Sequence, residues 1–135
     1  MGERARPASL HVTIVSDKVE TIERLTEYLG RAGVITNATR HIERAVEQSP
    51  EVTTAIVLFP DDFDAEQAAL ALAQLRLHRP RALRVVITGQ PRKFALPDER
   101  HDEATVLVIP RPAWGWTILD AIRARLDRSS GSETR

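Results

Sequence analysis

Residues 53–63 read TTAIVLFPDDF. The run Thr53–Phe59 is apolar or β-branched throughout, with no polar residue at alternate positions. A strand with one wet face alternates; a strand buried on both faces does not. Pro60 ends the run, because it has no N–H to give a sheet ladder. A strand buried on both faces needs a covering layer on each side. The rest of the chain supplies those layers.

Upstream, Leu10–Val15 is a short β run. Asp17 follows at a helix start, where its carboxylate could accept a backbone N–H. Val19, Ile22, Leu25, Leu29 and Ala32 recur every three or four residues, which predicts an amphipathic helix over 18–32. Gly33 is its stop signal. Val34–Ala38 is a second strand. Ile42, Ala45 and Val46 predict a short helix over 40–48, closed by Ser49-Pro50. Downstream, Asp64 can cap a helix over 65–77, stopped by Pro80. Leu83–Thr88 (LRVVIT) is a fourth strand ending at Gly89, and Thr105–Ile109 (TVLVI) a fifth ending at Pro110. The last helix, about 115–127, carries Ile118, Ile122 and Leu126 on one stripe with Leu119 beside it.

Strands separated by helices pair in parallel through right-handed crossovers. The expected fold is a doubly wound, five-stranded parallel α/β sheet in the order 2-1-3-4-5, with helices on both faces. One domain over 10–127 accounts for nearly all of the chain. Residues 1–9 and 128–135, polar and rich in Ser, Gly and Arg, read as flexible tails.

Composition narrows the function. The chain has 135 residues and no cysteine, so disulfides, iron–sulfur clusters and thiol nucleophiles are excluded. Nineteen Lys+Arg balance nineteen Asp+Glu. That argues against a sequence-independent nucleic-acid binder, which needs a net basic surface. No apolar run approaches the ~20 residues of a membrane span, and the N-terminal stretch reads as a strand instead of a signal-peptide core. A cytoplasmic protein is expected.

In such a sheet, ligands bind at the carboxyl ends of the strands, beside the switch point between strands 1 and 3. The residues to interrogate are therefore Ser16-Asp17, Phe59 to Asp62, Thr88-Gly89 and Pro110 to Pro112. The turn after strand 1 has no glycine, and neither a dinucleotide fingerprint nor a P-loop occurs anywhere. Ser16 has no elbow glycines. His11, His41, His78 and His101 form no metal-ligand pair. Asp61 and Asp62, with Asp64 beyond, make an acidic cluster past strand 3. It reads either as a hard-cation site with Asp17 across the crevice or as a solvated loop. The second reading weighs more, because only Asp17 stands clearly on a strand end.

At these strand ends the sequence resembles the receiver domain of two-component response regulators, over residues 10–127. IVSDKVETIERLTEYLGRAG resembles the strand 1–helix 1 signature, VLFPDDF the strand 3 end, RVVITG the strand 4 end, and VLVIPRPAWGWTILDAIRARL the strand 5–helix 5 text. Phe59 lies 42 positions after Asp17, Thr88 lies 29 after Phe59, and Arg111 lies 23 after Thr88, all close to receiver spacing. The resemblance implies an acidic pair after strand 1, a phosphorylated Asp ending strand 3, a Ser/Thr after strand 4 and a Lys-Pro after strand 5. Here Ser16 replaces the first acid and Asp17 keeps the second. Phe59 falls at the acceptor, Thr88 keeps the hydroxyl, and Arg111 replaces the Lys.

A nucleophile-free receiver implies a stand-alone, non-enzymatic signalling protein. It would act by phosphorylation-independent contact with a protein partner, or with a second copy, and without a cofactor. No room is expected for an appended DNA-binding module. Two alternatives stand beside this. In one, Asp61 or Asp62 is phosphorylated in a bacterial two-component pathway, with Mg²⁺ held by Asp17 and Asp61. In the other, a flavodoxin-like domain binds a small molecule in a pocket by Asp17, Phe59 and Thr88. The stretch 89–104, with Pro91 and Pro97, predicts a shortened or missing fourth helix. Trp114 and Trp116 flank Gly115; one is expected to cap the core and the other to be an exposed interface anchor.

Overall fold

The computed structural model describes residues 10–94 and 106–133, and side chains as far as residue 126. Five strands form one sheet: β1 (His11–Val15), β2 (Ile35–Thr39), β3 (Ala55–Leu58), β4 (Leu83–Thr88) and β5 (Val106–Pro110). Their order is β2-β1-β3-β4-β5, as expected, and every pairing is parallel. Among the described residues three helices cover it: α1 (Val19–Arg31), α2 (Ala65–His78) and α3 (Gly115–Glu133).

The core divides into two layers by strand parity. Val12, Ile14, Ala55, Val57, Phe59, Val85 and Ile87 pack under α1 and α3, against Leu25, Leu29, Ile118, Leu119 and Ile122. Val15, Ile56 and Leu58 face the other way, against Ala68, Ala71 and Leu75 of α2. All four residues of β3 are buried, which is why its sequence shows no alternation. β1 and β4 flank it and fix the strand ends that matter below.

Helix ends follow local chemistry. Gly33 has φ +87°, the left-handed region open to glycine, and Val34 N–H returns to Leu29 O at 2.9 Å to close α1. Asp64 and Gln67 form a capping box on α2. Asp17 is not the cap of α1, contrary to expectation: Lys18 holds that position without a side-chain cap, and Asp17 turns to Arg40.

Two further expectations change. The helix over 40–48 is only a 3₁₀ turn at Ile42–Arg44 followed by hydrogen-bonded turns. Three apolar positions are too few to hold a helix. The carbonyls there find other donors: Ser49 Oγ–H bonds Ala45 O at 2.7 Å, and Arg79 Nε–H bonds Ser49 O at 2.6 Å. The last helix runs to Glu133 instead of ending near 127, so the backbone of 128–133, read as tail, is helical. Between β4 and β5 a 3₁₀ turn occupies Pro91–Lys93. The rest of the stretch expected to lack a fourth helix lies outside the described residues, as do His101, Thr105 and the tail 1–9. Among the described residues no helix is long and apolar enough to cross a membrane.

Candidate functional site at the strand ends

The carboxyl ends of β1, β3 and β4 lie side by side. β3 stops at Leu58, and Phe59 N–H still bonds Val15 O at 3.0 Å. The chain then folds into a 3₁₀ turn at Pro60–Asp62, started by the proline at the position a helical turn tolerates. That turn throws the next two carboxylates in opposite directions.

Asp62 reaches β1. Its Oδ2 accepts the Ser16 hydroxyl at 2.6 Å and the Asp17 N–H at 3.1 Å, while Ser16 Oγ accepts the Lys18 N–H at 3.1 Å. Asp61 reaches β4. Its Oδ1 accepts the Thr88 hydroxyl at 2.7 Å and its Oδ2 the Gly89 N–H at 2.8 Å, while Thr88 Oγ1 accepts the Gln90 N–H at 3.0 Å. The two halves match group for group. Ser16 and Thr88 are fully buried, so each hydroxyl needs its partners.

Arg111 follows β5, with its N–H bonded to Thr88 O at 3.0 Å and its peptide to Pro112 cis. Its Nη1 stands 3.7 Å from Asp61 Oδ2. Burial alone would raise the Asp61 pKa. The Gly89 N–H, the Thr88 hydroxyl and the charges of Arg111 and Lys93 outweigh it and hold the carboxyl below its ordinary value of 3.8.

The sequence placed Asp61 and Asp62 past strand 3, with their charges in what reads as a solvated loop. The backbone half of that holds, since neither residue is in β3. The charge half is corrected, because both side chains fold back into the crevice. Pro60 ends the strand as expected, and the 3₁₀ turn it starts brings the two carboxylates back. Asp17, the one acid expected there, points outward: its carboxylate meets Arg40 Nη2 at 3.5 Å and its carbonyl accepts Arg40 Nε–H at 3.2 Å. Arg40 was missed, although the strand order itself sets the end of β2 beside β1.

Phe59 is 8% exposed and its ring belongs to the core under α1 and α3. The position that resembles a receiver's phosphoacceptor therefore holds a buried hydrocarbon ring. A hard cation needs several converging oxygens, and each carboxylate of the pair already accepts a hydroxyl and an N–H. Among the described residues no three His, Asp or Glu side chains come together to hold a metal. One cavity of about 350 Å³ lies on the α2 face, away from Asp17, Phe59 and Thr88.

Trp114 and Trp116 are 60% and 57% exposed, so neither caps the core, contrary to the expectation for one of them. Ile118, Leu119 and Ile122 fill that place. Gly115 between the tryptophans starts α3 against the ring of Tyr28, itself on the surface. Tyr28 of α1 thus packs against the start of α3, at the glycine between two exposed tryptophans in sequence.

No protein-family model matches the chain, and no curated protein does. Solved structures do. A CheY-like response-regulator receiver domain protein from Methanospirillum hungatei JF-1 superposes with TM-score 0.71 at 14% identity, over 93% of this chain and 99% of that one. A structure described as adenylate cyclase from Rhodopirellula baltica gives 0.72 at 16% identity, over 94% and 96%. The signal receiver domain of an HD domain-containing protein from Pseudomonas fluorescens Pf-5 gives 0.67 at 16% identity, over 92% and 99%. At these identities the likeness concerns architecture: the chain has the fold of response-regulator receiver domains.

Proposed function

We propose that this protein is a receiver-like signalling protein, not an enzyme, that acts through contact with a protein partner and without phosphorylation or a metal. The observation that carries this reading is the buried ring of Phe59 at the acceptor position. The hydroxyl ending β4 and the cation after β5 would have to stabilise an aspartyl phosphate, and both already attend a resident carboxylate. Phe59 at the acceptor position offers no nucleophile. With nothing to switch these groups, the fold has one resting arrangement, and output falls to its surface. Trp114 and Trp116 are the natural anchors, since exposed tryptophan is enriched at binding hot spots. A cytoplasmic site of action follows from this reading.

A second reading is favoured by the Asp61–Thr88–Arg111 arrangement. Asp61 is a carboxylate beside a hydroxyl, a backbone N–H and a guanidinium, which is the company an acyl phosphate would need. In it, Asp61 Oδ attacks the phosphorus of a phosphodonor, the donor's P–O bond breaks, and the leaving group departs with the electron pair.

The protein is incubated with acetyl phosphate and Mg²⁺ and its intact mass is followed. No acid-labile adduct supports the first reading. An adduct that disappears in Asp61→Asn overturns it in favour of the second. In the first reading, Trp114→Ala and Trp116→Ala abolish capture of the cognate partner without unfolding the protein.

A further inference from the structure

We propose that α2 is the contact surface between two copies of this chain, packed antiparallel about a twofold axis. The proposal does not depend on which reading of the strand-end crevice holds.

A helix lying on a sheet normally turns charged residues to water. α1 mostly does so: Glu20, Glu23, Arg24, Glu27 and Arg31 are exposed, beside Val19, Tyr28 and Gly30. α2 does not. Its inner face, Ala68, Ala71 and Leu75, is buried on the sheet. Its outer face carries Ala69, Leu70, Ala73 and Leu77, all exposed, with Leu70 61% and Leu77 69% accessible. These positions recur with helical spacing, so they form one continuous apolar stripe. A helix apolar all round is one that is covered.

The charges of α2 say what covers it. They are segregated by sign: Glu66 lies in the first turn, Arg76 and His78 in the last, and Arg81 just beyond. A parallel partner would meet like with like. An antiparallel copy of the same helix brings Leu70 beside Leu77 and sets the acidic end of each copy against the basic end of the other. The dipoles of the two helices then also oppose.

The surface is self-complementary in shape as well. Where a helix was expected over 40–48, a groove of about 350 Å³ runs along α2, lined by apolar Ile42, Ala45, Val46, Leu70 and Ala71 and by polar Glu43, Gln67, Gln74 and His78. One face thus bears a ridge of leucine and a partly apolar hollow, which is what a twofold interface requires of a single surface. The small residues Ala69 and Ala73 let the two helix backbones approach closely.

The test is sedimentation velocity on the full chain over a range of concentrations. The mass is expected to rise with concentration from 15.1 kDa toward twice that value. Leu77→Glu and Leu70→Glu, each at an exposed position, raise the dimer dissociation constant by about tenfold or more, with the far-UV circular dichroism of wild type. Leu77→Gln is the milder variant should a charge disturb folding. Glu66→Arg weakens the dimer, and adding Arg76→Glu and Arg81→Glu restores it. A mass of 15.1 kDa at every concentration overturns the proposal. So does a dimer that survives Leu77→Glu, or one lost on replacing Trp114 and Trp116.

Discussion

Ser16, just past β1, and Thr88, the last residue of β4, donate their hydroxyls to adjacent members of one aspartate pair, although the two strands never touch: Ser16 to Asp62 at 2.6 Å and Thr88 to Asp61 at 2.7 Å. β3 lies between them, and the turn that follows it reaches both sides. In each half the next backbone N–H bonds the same carboxylate, and the one after bonds the hydroxyl. The carboxyl ends of three adjacent strands are therefore tied by six hydrogen bonds through four side chains. The acidic pair is a clasp before it is anything else.

Asp61→Ala opens half of the clasp. The Thr88 hydroxyl and Gly89 N–H lose a charged acceptor, and the expected loss is about 1–3 kcal/mol, measured by urea unfolding at neutral pH. Because the folded pKa of Asp61 lies below 3.8, its contribution is complete above that value and is lost as pH falls through the folded pKa. The difference between wild type and Asp61→Asn should accordingly shrink as unfolding is repeated at progressively lower pH.

Ser16→Asp tests the other half. It puts a carboxylate where a hydroxyl now donates to Asp62 at 2.6 Å. Two like charges without a cation raise each other's pKa. The variant should be less stable than wild type by about 1–3 kcal/mol at neutral pH. A group with a raised folded pKa regains stability as pH falls, since one shared proton restores the donor. A thermal melt series should show the deficit of Ser16→Asp narrowing toward mildly acidic pH.

Gly115→Ala should lower the melting temperature although alanine is the better helix former by about 1 kcal/mol. A Cβ there would meet Tyr28 Cγ and Cδ2 at 2.8 Å, so α1 and α3 must move apart. In a Tyr28→Ala background the same substitution should be neutral or stabilising. A double-mutant cycle of melting temperatures measures the coupling.

Trp114→Ala and Trp116→Ala should change stability by no more than about 0.5 kcal/mol each, because both rings face water. Phe59→Ala, by contrast, should cost about 3–5 kcal/mol, because its ring is part of the core under α1 and α3. Urea midpoints on the three variants separate the surface aromatics from the buried one.

The order of elements was legible from residues alone. Thr53–Phe59 demanded two covering layers, and strands separated by helices admit few topologies. Strand boundaries fell within one or two residues, because apolar runs end where Pro, Gly or a charge begins. The helix over 40–48 was not legible as absent: its periodicity is real, but Arg79, 30 positions from Ser49, satisfies the carbonyl there. The tryptophans misled for a related reason. Hydrophobicity marks what can be buried, and the space under α3 was already filled by Ile118, Leu119 and Ile122.

By itself, then, the sequence determined the five-stranded sheet, its order and the residues at its strand ends, because burial patterns and breakers act locally along the chain. Only the tertiary structure decided what those ends do. Phe59 turns inward because β3 parity points it under α1 and α3, and Asp17 turns outward to Arg40. Asp61 and Asp62 return to the crevice because a 3₁₀ turn aims adjacent side chains at strands on opposite sides of β3. A hydrogen bond between residues 27 or 46 positions apart has no periodicity and no local signal. It exists only once the sheet has set β1, β3 and β4 side by side.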